Sequence, residues 1–120
     1  MNKVNNNSVE MPQQTISELQ KEISAFTVLI KDYNITFSDL TNSSPDKPEI
    51  LQNAKRLAEI INTNNNLKTS FLEKKKLPIK QLRNLDSSSK VILSKYNKYV
   101  TALTLIYSGK FTLLHEYISR

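Results

Sequence analysis

Residues 77–100 read LPIKQLRNLDSSSKVILSKYNKYV. A proline opens a short segment in which Ile79, Leu82 and Leu85 recur at helical spacing, and Asp86 with Ser87, Ser88 and Ser89 interrupts it. Short polar side chains satisfy the free amides at a helix start, so the cluster is expected to form a turn and to cap the helix that follows. Beyond it, Ile92, Leu93, Tyr96, Tyr99, Val100, Leu103, Ile106 and Tyr107 fall on one broad face at about 100° per residue. The spacing predicts one long helix closed by Ser108-Gly109, where the only glycine of the chain suits a left-handed cap. Helix, tight turn and helix outline a helix–turn–helix over about residues 79–107.

Upstream, the apolar pattern repeats this helical period. Ile16, Leu19, Ile23, Phe26, Ile30 and Tyr33 form one stripe, preceded by Thr15-Ile16-Ser17-Glu18 with capping-box spacing. Asn34 is a plausible stop, and TFSDL (36–40) is short enough for one extra turn. SSPDKP (43–48) supplies capping serines and two prolines suited to a first helical turn. Ile50, Leu51, Ala54, Leu57, Ala58 and Ile61 line the next helix, which NTNNN (62–66) ends. Leu67, Phe71 and Leu72 mark a third helix running into Lys74–Lys76, whose cations suit the negative end of its dipole. A last short helix carries Phe111, Leu114, Tyr117 and Ile118. With one Gly and few alternating β-branched runs, the expectation is an all-α fold of five to six short helices. The Asn- and Gln-rich residues 1–14 read as a flexible tail or linker, with one domain over residues 15–120.

Composition removes several classes of function. There is no Cys, so disulfide and thiol chemistry are excluded and a cytoplasmic setting fits. A single His, His115, leaves no transition-metal set, and its neighbour Glu116 points about 100° away on a helix, so the two do not form an acid–base pair. One glycine cannot build a phosphate loop. No enzymatic activity and no cofactor are expected. The apolar-leaning run Tyr99–Tyr107 falls far short of the roughly 20 residues of a bilayer span, so no direct membrane insertion is expected.

The charge is local. The chain carries +6, yet residues 68–98 alone carry +7, with nine cations against Glu73 and Asp86. On the predicted long helix, Lys90, Ser94, Asn97, Lys98 and Thr101 lie between about 80° and 180° from Ser89, opposite the apolar face and without an acid among them. Lysines for phosphates and short polar groups for base edges are what a helix entering a major groove needs. The same pattern also serves a solvated helix face, and the pattern alone leaves both readings open.

Motifs spread over about residues 15–120 resemble the C-terminal, region-4-like domain of the sigma-I family of bacterial RNA polymerase sigma factors. Leu77, Pro78, Lys80 and Leu82 match the family's LP-x-K-E-L element. Ser89, Lys90, Leu93, Lys95, Lys98, Tyr99, Val100, Ala102 and Leu103 match its second helix, allowing Arg-to-Lys and Ile-to-Val exchange. Gly109, Phe111, Leu114, Tyr117 and Ile118 match its tail, while Asn34–Leu40 and Ser44-Pro45 with Asn53–Ala58 look like its upstream elements. The resemblance implies recognition of the promoter −35 element by the helix–turn–helix, contact with the flap of the RNA polymerase core, and regulation by a membrane-anchored anti-sigma factor. It implies DNA contacts from Lys80, Ser89, Lys90, Ser94, Lys95, Asn97 and Lys98. The family's N-terminal half, which binds the polymerase clamp, has no counterpart here, so the chain reads as an excised or free-standing domain. Departures from the pattern matter: the family's turn Gly and Val are Ser87 and Ser88, two recognition-helix cations are Val91 and Asn97, and a Glu is Ser94. Fewer cations weaken phosphate anchoring, and Lys in place of Arg removes bidentate pairing with guanine. Recognition of DNA by the helix over residues 89–101 is the leading expectation, and these losses motivate a runner-up, a protein-interaction module that binds an anti-sigma factor or RNA polymerase without reading DNA.

Overall fold

The computed structural model describes residues 13–118. Within them the chain forms eight helices and no strand, six of the helices at least seven residues long. The all-α expectation holds, with more and shorter pieces than the five to six foreseen. The tail expected over residues 1–14 lies outside the described residues except for Gln13 and Gln14, which already belong to α1 (Gln13–Lys31). Thr15 and Glu18 therefore sit inside that helix and are not its cap.

α1 buries Phe26 and Ile30 and ends as its Asn predicts. Asn34 adopts a left-handed conformation (φ 60°), and the Ile35 amide reaches back to the Ile30 carbonyl at 3.0 Å, closing the helix C-terminus. TFSDL becomes α2 (Phe37–Asn42), and the capping box lies here: the Thr36 hydroxyl accepts from the Asp39 amide, and the Asp39 carboxylate accepts from the Thr36 amide. The following serines do not cap α3. Their hydroxyls donate back to α2 carbonyls, Ser43 to Asp39 and Ser44 to Leu40, and α3 (Pro48–Thr63) starts with Pro48 behind an uncapped Lys47.

α3 and α7 form the centre of the molecule. Ala54, Leu57, Ala58 and Ile61 of α3 are fully buried, and the small alanines let a neighbouring helix approach closely. That neighbour is α7 (Asn97–Ile106), in which every residue from Val100 to Ile106 is buried. The Asn62 side chain adds a polar tie, donating to the Thr104 carbonyl at 3.0 Å. Asn64 ends α3 and caps α4 (Asn65–Lys74), accepting from the Leu67 amide. α8 (Thr112–Ile118) follows Gly109, whose φ of +98° matches the predicted left-handed cap. Its start is capped from 91 residues away: the Glu22 carboxylate accepts from the Leu113 and Leu114 amides. Phe111 closes that corner edge-on to Phe26, with ring centroids 5.4 Å apart.

The predicted long helix after the serines is two helices. α6 (Lys90–Lys95) and α7 are separated at Tyr96, whose backbone leaves the helical region (φ −116°, ψ 31°). The hydrogen bonds nearly run through it, Tyr96 amide to Ile92 carbonyl and Val100 amide to Tyr96 carbonyl. The two segments pack differently: α7 is buried on all sides from Val100 onward, whereas α6 lies at the surface and tucks in only Ile92 and Leu93. Both segments meet α3.

Candidate nucleic-acid interface

The helix–turn–helix is built from α5 (Ile79–Leu85), a 3-10 turn at Ser87–Ser89, and α6. Of the three apolar residues expected to anchor α5, one does so. Leu82 is buried, while Ile79 and Leu85 are exposed, Leu85 by 62%. A seven-residue helix at the edge of the body presents only one row to it, and that row is Leu82.

Asp86 organises the turn. Its carboxylate accepts from the Ser88 amide at 3.0 Å and the Ser88 hydroxyl at 2.5 Å, and Arg56 of α3 pairs with its other oxygen at 2.7 Å. The Ser88 hydroxyl and the Arg56 guanidinium hold the Asp86 carboxyl below the usual carboxylate range. Ser89 finishes the turn from inside, its hydroxyl donating to the Asp86 carbonyl at 2.6 Å. Only 1% of Ser89 is exposed, so it cannot face DNA as expected. Its role is to lock the turn.

In front of this turn lies an open cleft of about 670 Å³, lined by Ile79, Lys80, Arg83, Asn84, Ser87 and Lys90. No acid lines it. Lys80, Arg83 and Lys90 are exposed and form no ion pair with any described residue. Unpaired cations in a concavity concentrate positive potential toward a polyanion.

The other expected contacts divide along the bend at Tyr96. Ser94 and Lys95 are exposed on α6, with the Lys95 ammonium 5.5 Å from the Tyr96 ring centre. Past the bend the polar face turns inward. Asn97 is half-buried, Thr101 is buried and donates to the Asn97 carbonyl, and Lys98 pairs with Asp39 of α2 at 3.4 Å. The continuous acid-free face expected over Lys90–Thr101 is therefore absent, because α7 is a core helix. Two residues outside the expected set stand exposed near the turn. Arg83 follows Lys80 by three positions, which puts both on one side of α5, a spacing legible in the sequence. Val91 is 68% exposed near the start of α6.

A second surface feature lies away from the turn. Ile23, Phe37, Leu40, Tyr99, Leu114 and Tyr117 border an apolar groove of about 270 Å³ between α1, α2, α7 and α8. His115 lies against Tyr107, with ring centroids 4.4 Å apart. Among the described residues no cluster of His, Cys, Asp or Glu could hold a metal ion, and no helix is long and apolar enough to cross a membrane.

No protein-family model matches the chain. Curated proteins do. RNA polymerase sigma factor SigI of Bacillus subtilis (strain 168) is 32% identical over 99 residues, covering 82% of this chain and 39% of that protein. The sigma factor SigI of Bacillus anthracis is 27% identical over 99 residues, covering 82% of this chain and 41% of its own length. RNA polymerase sigma factor SigI8 of Acetivibrio thermocellus is 30% identical over 101 residues, covering 84% and 40%. The chain thus spans about two-fifths of the length of these relatives. Similarity over most of this chain, repeated across several SigI proteins, makes it a distant homologue of the SigI-family RNA polymerase sigma factors.

Proposed function

We propose that this chain is a sigma-factor-type transcription domain that sets α5, the serine turn and α6 against the promoter −35 element and contacts the RNA polymerase core. The observation that carries the reading is the acid-free cleft at the turn, where Lys80, Arg83 and Lys90 pair with no acid among the described residues. In a helix–turn–helix the first residues of the second helix meet base edges and the first helix crosses the backbone. On that geometry Lys80 and Arg83 hold phosphates, Lys90 holds a phosphate or a guanine edge, and Val91 and Ser94 face bases. Lys95 serves the flanking backbone, and Asn97 and Lys98 fall outside the contact. Homology to the SigI proteins supports the role, and it asks no catalysis of the chain.

A salt titration with promoter duplex tests it. Phosphate contacts from Lys80, Arg83 and Lys90 contribute roughly −2.7 to the log–log salt slope, and K80Q/R83Q/K90Q removes that share. Affinity that does not fall as salt rises excludes the reading.

The apolar groove favours a second reading, a module that docks on an anti-sigma factor or polymerase without reading DNA. Phe37 and Tyr117 are exposed on its rim, and large apolar side chains left in water mark interaction surfaces. Under this reading F37A lowers binding to the purified anti-sigma domain, and K80Q/R83Q/K90Q does not.

A further inference from the structure

The Lys74–Lys76 cluster has an ordinary explanation at the end of a helix, but the fold separates its members. Lys75 takes a left-handed conformation (φ 55°) that caps α4, its amide bonded to the Phe71 carbonyl at 2.9 Å. Its ammonium turns back over the Tyr33 ring, 5.5 Å from the centre. Its two neighbours do something else. Lys74 and Lys76 line a second open cleft, of about 270 Å³, with Ser70, Pro78, Ile79 and Lys80. Ile79 and Lys80 are also walls of the cleft at the turn, so the two concavities adjoin. Lys74 and Lys76 are exposed, and neither pairs with an acid among the described residues. No acid lines either cleft, although Glu73 is next to Lys74 in the chain.

We propose that Lys74 and Lys76 extend the phosphate-binding track of the helix–turn–helix, so that a nucleic-acid backbone runs from Lys90 past Arg83 and Lys80 to the end of α4. This rests on the DNA-binding reading above and adds a contact outside the helix–turn–helix. A backbone is the ligand that fits, because it presents regularly spaced anions along a line, and five cations without an acidic partner among the described residues lie along two joined clefts. The contact is to phosphate alone, so it strengthens binding to every sequence equally.

The test uses the full chain, a fluorescent mixed-sequence duplex and a salt series, with K74Q/K76Q, K74R/K76R and K80Q/R83Q/K90Q as variants. Each phosphate contact contributes about 0.9 to the log–log slope, so K74Q/K76Q should lower it by about 1.8, and K74R/K76R should restore it. The ratio of affinities for promoter and mixed-sequence duplex should stay unchanged in K74Q/K76Q. Acylation of the wild-type chain gives a readout that needs no variant: bound duplex should shield Lys74 and Lys76 while the exposed Lys21 on α1 stays reactive. An unchanged slope in K74Q/K76Q beside a reduced one in K80Q/R83Q/K90Q overturns the extended track and leaves the helix–turn–helix reading standing. Slopes unchanged in both, or a wild-type chain without salt-dependent binding, overturn both. Loss of polymerase binding but not of DNA binding in K74Q/K76Q reassigns the two lysines to a protein contact and overturns the proposal.

Discussion

Single side chains in the turn carry more of its architecture than their polarity suggests. Asp86 receives two bonds from Ser88 and an ion pair from Arg56, so it closes the turn and fastens it to α3 at once. Its folded-state carboxyl titrates below the ordinary value, as does that of Asp39, which the Thr36 amide and hydroxyl and Lys98 stabilise as the anion. A depressed folded value means that the stabilisation is complete above the unfolded carboxylate pKa of about 3.9 and is lost as pH falls through the folded value. Thermal melts should show the wild-type chain losing stability below about pH 4, and Asp86→Asn should lower the melting temperature near neutrality while flattening that acid limb. Equal acid limbs in the two proteins would remove Asp86 from the account. Lysines nominally on one helix face also part company here. Lys90→Gln should lower the salt slope of DNA binding by about one, while Lys98→Gln, already spent on Asp39, should leave the slope unchanged and cost less than about 1 kcal/mol of stability.

For the helices, the sequence is informative where one apolar stripe faces one partner. α3 buries the Ala54, Leu57, Ala58 and Ile61 row that its spacing announces, and Asn34 and Gly109 take the left-handed conformations expected of helix stops. Where a helix serves two environments, periodicity misleads. The apolar stripe continues through Tyr96 because α6 and α7 each bury residues on it, so nothing in the spacing marks the bend. α5 errs the other way, with three apolar positions in the sequence and one in the core. That difference is measurable. Leu82→Ala should cost roughly 2–5 kcal/mol in denaturant unfolding and weaken DNA binding as α5 loosens, whereas Leu85→Ala should change stability by less than about 0.5 kcal/mol. Equal costs for the two would contradict the observed orientation of α5.

At the scale of the whole molecule, the all-α fold was legible from one glycine, the helical spacing and the turn chemistry, and so was the concentration of charge between Lys68 and Lys98. The address of that charge was not. Sequence patterning puts it along one side of a rod, but the tertiary structure turns Lys98 to Asp39, lays Lys75 over Tyr33 and sinks Thr101 into the core. The cations that line the two clefts are Lys80, Arg83 and Lys90 around the turn, with Lys74 and Lys76 beside them. Long-range partners decide this, and so does the Glu22 cap on α8, which no local pattern encodes.

The most direct test is a residue-resolved NMR titration of the full chain with promoter duplex, following backbone amide shifts. DNA docking at the turn should give the largest changes at Lys80, Arg83, Ser87–Val91 and Ser94, with the apolar groove around Ile23, Phe37 and Tyr117 unmoved. Shifts gathered in that groove, with the turn and its cations silent, would contradict it.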